Sequence, residues 1–193
     1  NSLNCSPLVR IPSNQDWIAL QVLDQGAHGL VVPHIETRVD SEKFIKSMKY
    51  FPLGQRGFTP FSKAGGFKNK NSSDYVSYAN ESLLSVVIVE SKEGLERLDE
   101  IAEIDGVDVV YFGAYDISQA LGYPGEVKHP EVVRSIQKGV EIDRYGAGKI
   151  RLFPGPRQDH FVLPHLKQDR HRSRVRKHNP SIQVIFLLYP IFL

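Results

Sequence analysis

Short apolar runs alternate with stretches of helical periodicity from residue 7 to about residue 140. The apolar runs predict strands at residues 7–11, 29–33, 84–89 and 107–112, because each run is short and rich in Val, Ile or Leu. Between the strands, apolar positions three and four residues apart predict helices. Strands that alternate with helices are typical of repeated βα units around a parallel sheet. The pattern therefore predicts a fold of the α/β class.

The predicted helices have recognisable ends. Ser13 or Asn14 can cap the first helix, which then stops at Gly26. Ser91 has the same capping role after the third strand, and Pro130 fits the first turn of the last helix. The second predicted helix covers residues 40–49, and the third stops at Gly106. The residues predicted to be buried on the helix faces are, helix by helix, Ile18, Ala19, Val22 and Leu23; Phe44, Ile45 and Met48; Leu95, Leu98, Ile101 and Ala102; and Val133, Ile136 and Val140.

Two stretches depart from this alternation. Residues 54–80 are rich in Gly, Ser, Asn and Lys without a clean period, which predicts a long loop. After Lys149 the chain carries five prolines and many Arg and His residues, and the alternation of strands and helices stops. We therefore divide the chain into a regular part, residues 1–150, and a basic, proline-rich tail, residues 151–193.

Charge is distributed unevenly along the chain. Residues 1–150 contain 16 Lys and Arg against 20 Asp and Glu, whereas residues 151–193 contain 8 against 2. The basic run at residues 167–178 would attract nucleic acid or an anionic membrane. Because it lacks interleaved aromatic residues and a recognisable binding fold, we expect neither partner. The apolar end, residues 182–193, contains a proline and is too short to span a bilayer, so it predicts a packed terminal strand or an exposed apolar end.

Length and cysteine content limit the class of protein. The chain has 193 residues, of which 41% are hydrophobic, so it can bury one sizeable core. It begins with Asn1 rather than Met and has no segment that resembles a signal peptide, so we expect a fragment of a longer cytoplasmic product. The single cysteine, Cys5, cannot form an internal disulfide, which fits a reducing compartment.

Three polar side chains stand at or after the ends of predicted strands: Arg10, Glu90 and Asp116. In a parallel barrel the active site lies at the carboxyl ends of the strands. Two carboxylates there favour a hard divalent cation such as Mg²⁺ or Mn²⁺, since an unpaired buried carboxylate is costly. The alternative is that Glu90 and Asp116 lie on exposed turns or cap the next helices. Arg10 is either a surface cation or a clamp for a carboxylate substrate.

Four ordered segments of the chain carry a more specific pattern. They are residues 7–12 (PLVRIP), 23–29 (LDQGAHG), 52–57 (PLGQRG) and 113–125 (GAYDISQALGYPG). Together they resemble the HpcH/HpaI aldolase family, and with Gly148-Lys149 the resemblance covers about residues 7–150. It implies a TIM-type (β/α)₈ barrel that is incomplete in this chain.

The resemblance also implies an activity, that of a class II, metal-dependent aldehyde-lyase. Such an enzyme cleaves a 4-hydroxy-2-keto acid or a 2-keto-3-deoxy sugar acid to pyruvate and an aldehyde through a metal-stabilised enolate. On the matching positions, Glu90 and Asp116 would hold the divalent metal, Mg²⁺ or Mn²⁺, and Arg10 would bind and polarise the pyruvate end. The backbone around Ala114, Tyr115 and Asp116 would meet the substrate carboxylate.

Two features depart from the family pattern. Ile88 stands where the family usually has Gln, two residues before the metal-binding Glu, so we expect one pocket hydrogen bond to be missing. The family's catalytic His lies on a strand before the segment that matches Arg10, and we expect it to have no counterpart in this chain. His28 is predicted to lie at the surface or in the core, and His34 is a candidate to line the pocket.

Alternative functions are compatible with the same residues. A CoA-ester lyase of the citrate lyase β-subunit type shares the barrel and the acidic metal site, although residues 113–125 fit the aldolases better. A catalytically inactive barrel fragment or an interaction protein is the other alternative. The resemblance further implies a small keto-acid substrate and a homo-oligomer. Residues 151–193 match no family pattern and are typical of translation in a shifted reading frame, which the nucleotide sequence would test.

Overall fold

The computed structural model describes residues 5–68 and 71–145, together with 161–162 and 183–187. The elements are, in chain order, β1 (Cys5–Arg10), α1 (Asp16–Asp24), β2 (Gly29–Val32), α2 (Arg38–Met48), α3 (Ser72–Ser82), β3 (Leu84–Val89), α4 (Lys92–Glu96), α5 (Leu98–Ala102), β4 (Val109–Phe112), α6 (Ala114–Ala120), α7 (Pro130–Tyr145), β5 (Phe161–Val162) and β6 (Gln183–Leu187). Among the helices of these residues, none is long and apolar enough to cross a membrane.

The strands form one sheet in the order β4-β3-β2-β1-β6-β5. Strands β1 to β4 are parallel, and each of the first three pairs with the strand that follows it along the chain. Parallel neighbours require crossover connections, which the intervening helices provide. Strand β6 is parallel to β1 on its other side, and β5 is antiparallel to β6. The arrangement confirms the predicted α/β class and its parallel sheet.

Side chains on the two faces of the sheet enter two separate apolar clusters. The larger cluster packs the sheet against the helices and contains Leu30, Val32, Val87, Val89 and Val110 from the strands. The inner cluster, on the opposite face, consists of Leu8, Val31, Val86, Ile88 and Val109. Burial on both faces explains why the strands are nearly continuous apolar runs.

Most predicted helices are present with small shifts at their ends. Helix α2 begins at Arg38 behind a capping box, in which Thr37 Oγ1 accepts from the backbone N–H of Asp40. Ser91 caps α4 as predicted, accepting from the backbone N–H of Gly94. Helix α7 begins at Pro130, also as predicted.

The predicted cap of α1 was wrong. Gln15, with extended backbone, precedes the helix and makes no capping hydrogen bond through its side chain. Asn14 instead donates from Nδ2 to the carbonyl oxygen of Asp40, at 2.9 Å, and so links the start of α1 to α2. The predicted stop is present, since Gly26 follows the helix with a φ of 93°.

The predicted loop at residues 54–80 was wrong over its second half, which contains most of α3. Asn71 caps this helix by accepting from the backbone N–H of Ser73. Ala79 is the one residue of α3 that is fully buried, so the apolar face is too narrow to produce a clear helical period.

The single helix predicted after Ser91 is divided into α4 and α5. Arg97 joins them with φ −112° and ψ 23°, outside the helical region. Gly94, in the first segment, has low helix propensity, which favours a short helix there. The apolar residues still point inward, because Leu98 and Ile101 are completely buried.

The segment at residues 52–57 has a structural role. Arg56 is buried, and its Nη2 donates to Asp24 Oδ1 at 2.8 Å. Its guanidinium also lies over the Tyr50 ring, 4.5 Å from the centroid. The segment thereby fastens the chain beyond α2 to the end of α1.

The tail is described only at β5 and β6. Strand β6 belongs to the apolar end of the chain, for which a packed strand was one of the two predicted alternatives. The basic run at residues 167–178 lies outside the described residues. The division at residue 150 and the shifted reading frame stay predictions.

Candidate active site

Glu90 directly follows β3 and is only 5% exposed. Its Oε1 accepts a hydrogen bond from the backbone N–H of His34, at 2.9 Å, and lies 3.0 Å from Nδ1 of the same residue. Ser91, rather than Glu90, caps the next helix. The side chain is therefore neither on an exposed turn nor a helix cap, which excludes that alternative for Glu90.

The pKa of Glu90 is raised above its ordinary value, chiefly because burial penalises the charged form. The negative charge of Asp116 raises this pKa further. The His34 N–H bond and ring, and to a smaller extent the guanidinium of Arg10, oppose the shift. Arg10 and Asp116 are thus charged groups whose fields reach the carboxylate of Glu90.

Asp116 does not lie at the strand end itself. Strand β4 stops at Phe112, and Asp116 is exposed in the first turn of α6. No side chain caps this helix by a hydrogen bond, so Asp116 is not its cap. The carboxylate is free of that structural role, and its negative charge acts on Glu90.

Gly113 separates the two acids and leaves room for Glu90. A Cβ atom at Gly113 would lie 2.8 Å from Oε2 of Glu90. Oε2 consequently faces the start of α6, while Oε1 faces the end of β2. Glycine at this position allows the two strand ends to approach.

Arg10 is the last residue of β1, and its side chain is exposed. Because side chains alternate along a strand, Arg10 lies on the same face of the sheet as Leu8. Glu90 lies on that face as well, since it continues the alternation of Val86 and Ile88. The inner face of the sheet thus ends in a cation and an acid. Ile88 is buried in the inner cluster, as expected of an apolar residue there.

The other predicted site residues have different surroundings. Ala114 is half-buried and Tyr115 is 57% exposed, and both belong to the first turn of α6. His28 is exposed and precedes β2, at the end of the sheet opposite the acids. His34 follows β2 and contacts Glu90, a link between residues 56 positions apart that no local sequence signal could reveal.

No group of three or more His, Cys, Asp or Glu side chains is arranged to hold a metal ion in the part of the chain that the structure describes. The candidates are therefore the two carboxylates, Glu90 and Asp116, which supply oxygen ligands and would need water or substrate to complete a shell. A cation between them would offset both the burial of Glu90 and the repulsion between the acids. Their chemistry fits a hard divalent ion.

The sequence is similar to that of known proteins over most of this region. The model of the HpcH/HpaI aldolase/citrate lyase family matches residues 1–150. A 2-keto-3-deoxy-L-rhamnonate aldolase from Salmonella gallinarum is 40% identical over 147 residues, covering 76% of this chain and 54% of the relative. A 5-keto-4-deoxy-D-glucarate aldolase from Shigella boydii is 34% identical over 132 residues, covering 68% and 51%. The chain thus spans about half the length of these curated relatives.

The fold is also similar to solved structures. An HpcH/HpaI aldolase/citrate lyase family protein from Burkholderia cenocepacia matches with a TM-score of 0.72 and 30% identity. That match covers 78% of this chain and 59% of the solved chain. An HpcH/HpaI aldolase from Desulfitobacterium hafniense matches with the same TM-score of 0.72 and 29% identity, covering 78% and 58%.

Proposed function

Because this chain belongs to the HpcH/HpaI aldolase/citrate lyase family, and its parallel strands are part of that family's TIM-type (β/α)₈ barrel, we propose that it is part of a metal-dependent carbon–carbon lyase. The observation that carries the proposal is the buried carboxylate of Glu90, which is electrostatically coupled to Asp116 and Arg10 at the carboxyl ends of the strands.

The substrate class follows from the relatives. Their names describe aldolases for 2-keto-3-deoxy-L-rhamnonate and 5-keto-4-deoxy-D-glucarate. We propose that the reaction here is cleavage of a 4-hydroxy-2-keto acid or a 2-keto-3-deoxy sugar acid to pyruvate and an aldehyde. The small keto acid would enter from the strand-end side, where the exposed Arg10 and Asp116 lie.

Glu90 and Asp116 are the proposed holders of a divalent cation, Mg²⁺ or Mn²⁺. Carboxylate oxygens are the protein ligands that both ions prefer. When bound, the cation supplies Lewis acidity toward the 2-oxo acid. Glu90 is suited to the role because Oε1 is fixed by His34 while Oε2 faces the Asp116 side.

Arg10 is the proposed binding residue for the pyruvate end of the substrate. A guanidinium can form two parallel hydrogen bonds with a carboxylate and stays protonated at all working pH values. Its position at the end of β1, on the face that carries Glu90, would orient the keto acid and stabilise negative charge that develops during cleavage.

The start of α6 is the proposed second contact with the substrate. The first backbone N–H groups of a helix have no partner within the helix, so those of Ala114, Tyr115 and Asp116 are suited to meeting a carboxylate. The 57% exposed Tyr115 side chain leaves this turn open to solvent.

We also propose a cytoplasmic location and a homo-oligomeric assembly. The single cysteine, Cys5, supports the first because it cannot form an internal disulfide. The second rests on the family resemblance. Residues 151–193 are proposed to be a basic, proline-rich tail without a family match, although β6 within it pairs with β1.

Proton exchange at the methyl group of pyruvate, followed by NMR in deuterated water, tests the proposed chemistry. We expect exchange that depends on Mn²⁺ in the parent chain and is lost in Glu90→Gln. The matched control is Glu131→Gln, since Glu131 is exposed and pairs with Arg134 in a surface contact; it should retain exchange. Metal-dependent exchange that persists in Glu90→Gln would exclude the proposed site, and a folded parent without exchange would indicate an inactive barrel.

A further inference from the structure

His34 holds one of the two carboxylate oxygens of Glu90 from two directions. Its backbone N–H donates to Oε1 at 2.9 Å, and its ring nitrogen Nδ1 lies 3.0 Å from the same oxygen. Both groups come from the residue that follows Pro33 at the end of β2. The contact therefore joins the carboxyl ends of β2 and β3.

The backbone of His34 adopts an unusual conformation in making this contact. Its φ is 55°, in the left-handed region that non-glycine residues rarely occupy. The side chain is 71% exposed, so burial of the ring does not explain this conformation. The local effect of the conformation is to bring the N–H and the ring to the same oxygen.

The second carboxylate oxygen has a different environment. Oε2 faces Gly113, where an added Cβ atom would lie 2.8 Å away. Gly113 precedes α6, whose first turn contains Asp116. The Glu90 carboxylate is thus held at Oε1 by the end of β2, while Oε2 is directed toward the helix that contains Asp116.

We propose that His34 is a positioning residue that occupies Oε1 of Glu90 and so leaves Oε2 as the oxygen that would meet a divalent cation held by Glu90 and Asp116. This inference rests on the proposed function. Groups that hydrogen-bond metal ligands fix ligand orientation, and their loss typically weakens metal binding about 10-fold to 100-fold. Without the ring, the carboxylate keeps the bond from the His34 backbone N–H but loses its second contact at Oε1, so its orientation is less tightly fixed.

The test compares variants that separate the ring from the backbone, using Mn²⁺ binding by electron paramagnetic resonance. His34→Gly removes the ring but tolerates positive φ, and we expect its Kd for Mn²⁺ to rise about 10-fold. His34→Asn keeps a short N–H donor and also tolerates positive φ, so it should bind within about threefold of the parent chain. The matched control is Lys68→Gly, an exposed residue with φ 71° far along the chain from Glu90, which should leave Kd unchanged.

The outcomes separate the inference from the proposed function. If His34→Gly binds Mn²⁺ as tightly as the parent while Glu90→Gln does not, the positioning role is overturned and the metal site survives. If Glu90→Gln binds as tightly as the parent, or the parent does not bind, the metal site and the inference are both overturned. An unchanged melting temperature of metal-free His34→Gly, combined with weaker binding, excludes a purely structural role.

A second measurement needs no variant of His34. When Mg²⁺ binds Oε2, the hydrogen bond from the His34 amide to Oε1 should weaken, and its amide resonance should shift in a titration followed by NMR. We expect the shift in the parent and its loss in Glu90→Gln. If the amides of residues 114–116 shift while that of His34 does not, His34 does not position the ligand.

Discussion

Glu90 and Gly113 face each other across the ends of two neighbouring strands, so closely that a Cβ atom at Gly113 would lie 2.8 Å from both Cβ and Oε2 of Glu90. The φ of Gly113 is −79°, which any residue can adopt. Glycine is therefore required for space rather than for backbone freedom. The size of residue 113 controls whether the carboxylate can keep its position.

Substitution Gly113→Ala should consequently damage the site by steric conflict alone. We expect the unfolding free energy to fall by about 1–3 kcal/mol, as for other overpacked positions, and Mn²⁺ binding to weaken. Gly57→Ala is the control, because a Cβ at Gly57 meets no atom within 4 Å. Chemical denaturation measures the unfolding free energy of the two variants, and titration measures their Mn²⁺ binding. Equal results for Gly113→Ala and Gly57→Ala would contradict the steric explanation.

The raised pKa of Glu90 predicts how stability depends on pH. Because the folded-state pKa lies above the unfolded value of 4.5, the folded chain binds the proton more tightly. The corresponding stability is present below pH 4.5 and is lost as pH rises through the raised pKa. In the metal-free chain, Glu90→Gln should therefore melt higher than the parent near neutral pH, with the difference vanishing at low pH.

Addition of Mn²⁺ should reverse that order. The parent gains stability from a ligand that binds only the folded state, whereas Glu90→Gln has lost one of the two proposed metal-binding carboxylates. Melting curves at several pH values, with Mn²⁺ and with a chelator, would measure both effects. A parent that melts higher than Glu90→Gln in chelator at neutral pH would contradict the pKa assignment.

The buried pair between Arg56 and Asp24 predicts a large stability effect away from the site. The Arg56 side chain is completely buried and its Nη2 lies 2.8 Å from Asp24 Oδ1. Asp24→Asn would leave the guanidinium without its counter-charge, at a cost of about 3 kcal/mol. Glu42→Gln breaks an exposed pair with Arg38 and should cost less than about 1 kcal/mol. If urea denaturation showed equal losses of unfolding free energy for Asp24→Asn and Glu42→Gln, burial would not be the reason for the strength of the Arg56–Asp24 pair.

The capping box of α2 provides an independent test of local structure. Thr37→Ala removes the acceptor for the Asp40 backbone N–H and should destabilise the chain by about 1 kcal/mol. Ser72→Ala, at an exposed position in the first turn of α3, should change stability by less than about 0.5 kcal/mol. Thermal unfolding of both variants would decide the matter, and a neutral Thr37→Ala would contradict the capping role.

The strands were predictable because burial on both faces produces uninterrupted apolar runs. Strand β3, at Leu84–Val89, coincides with its predicted limits for this reason. Helix α3 was not predicted, since only Ala79 of its residues is fully buried. Arg97 divides a helix whose apolar spacing is continuous, and a break of that kind depends on packing rather than on periodicity.

The position of the candidate site could also be predicted in part from the sequence. Arg10 ends β1 and Glu90 directly follows β3, at the strand ends where the sequence predicted them. Alternation along the strands puts both on the face that carries the inner cluster. The contact between His34 and Glu90 spans 56 positions and arises only when β2 and β3 pair. Asn14 likewise bonds to Asp40 in a neighbouring helix rather than capping its own.

The inner cluster includes Ile88, which precedes Glu90 by two residues on the same face of the sheet, and Val109 of the neighbouring strand. Its five buried members, Leu8, Val31, Val86, Ile88 and Val109, carry no polar side-chain group that could pass a proton to the acid. We therefore expect protons and ions to reach Glu90 from the strand-end side, where the exposed residues Arg10, His34 and Asp116 lie.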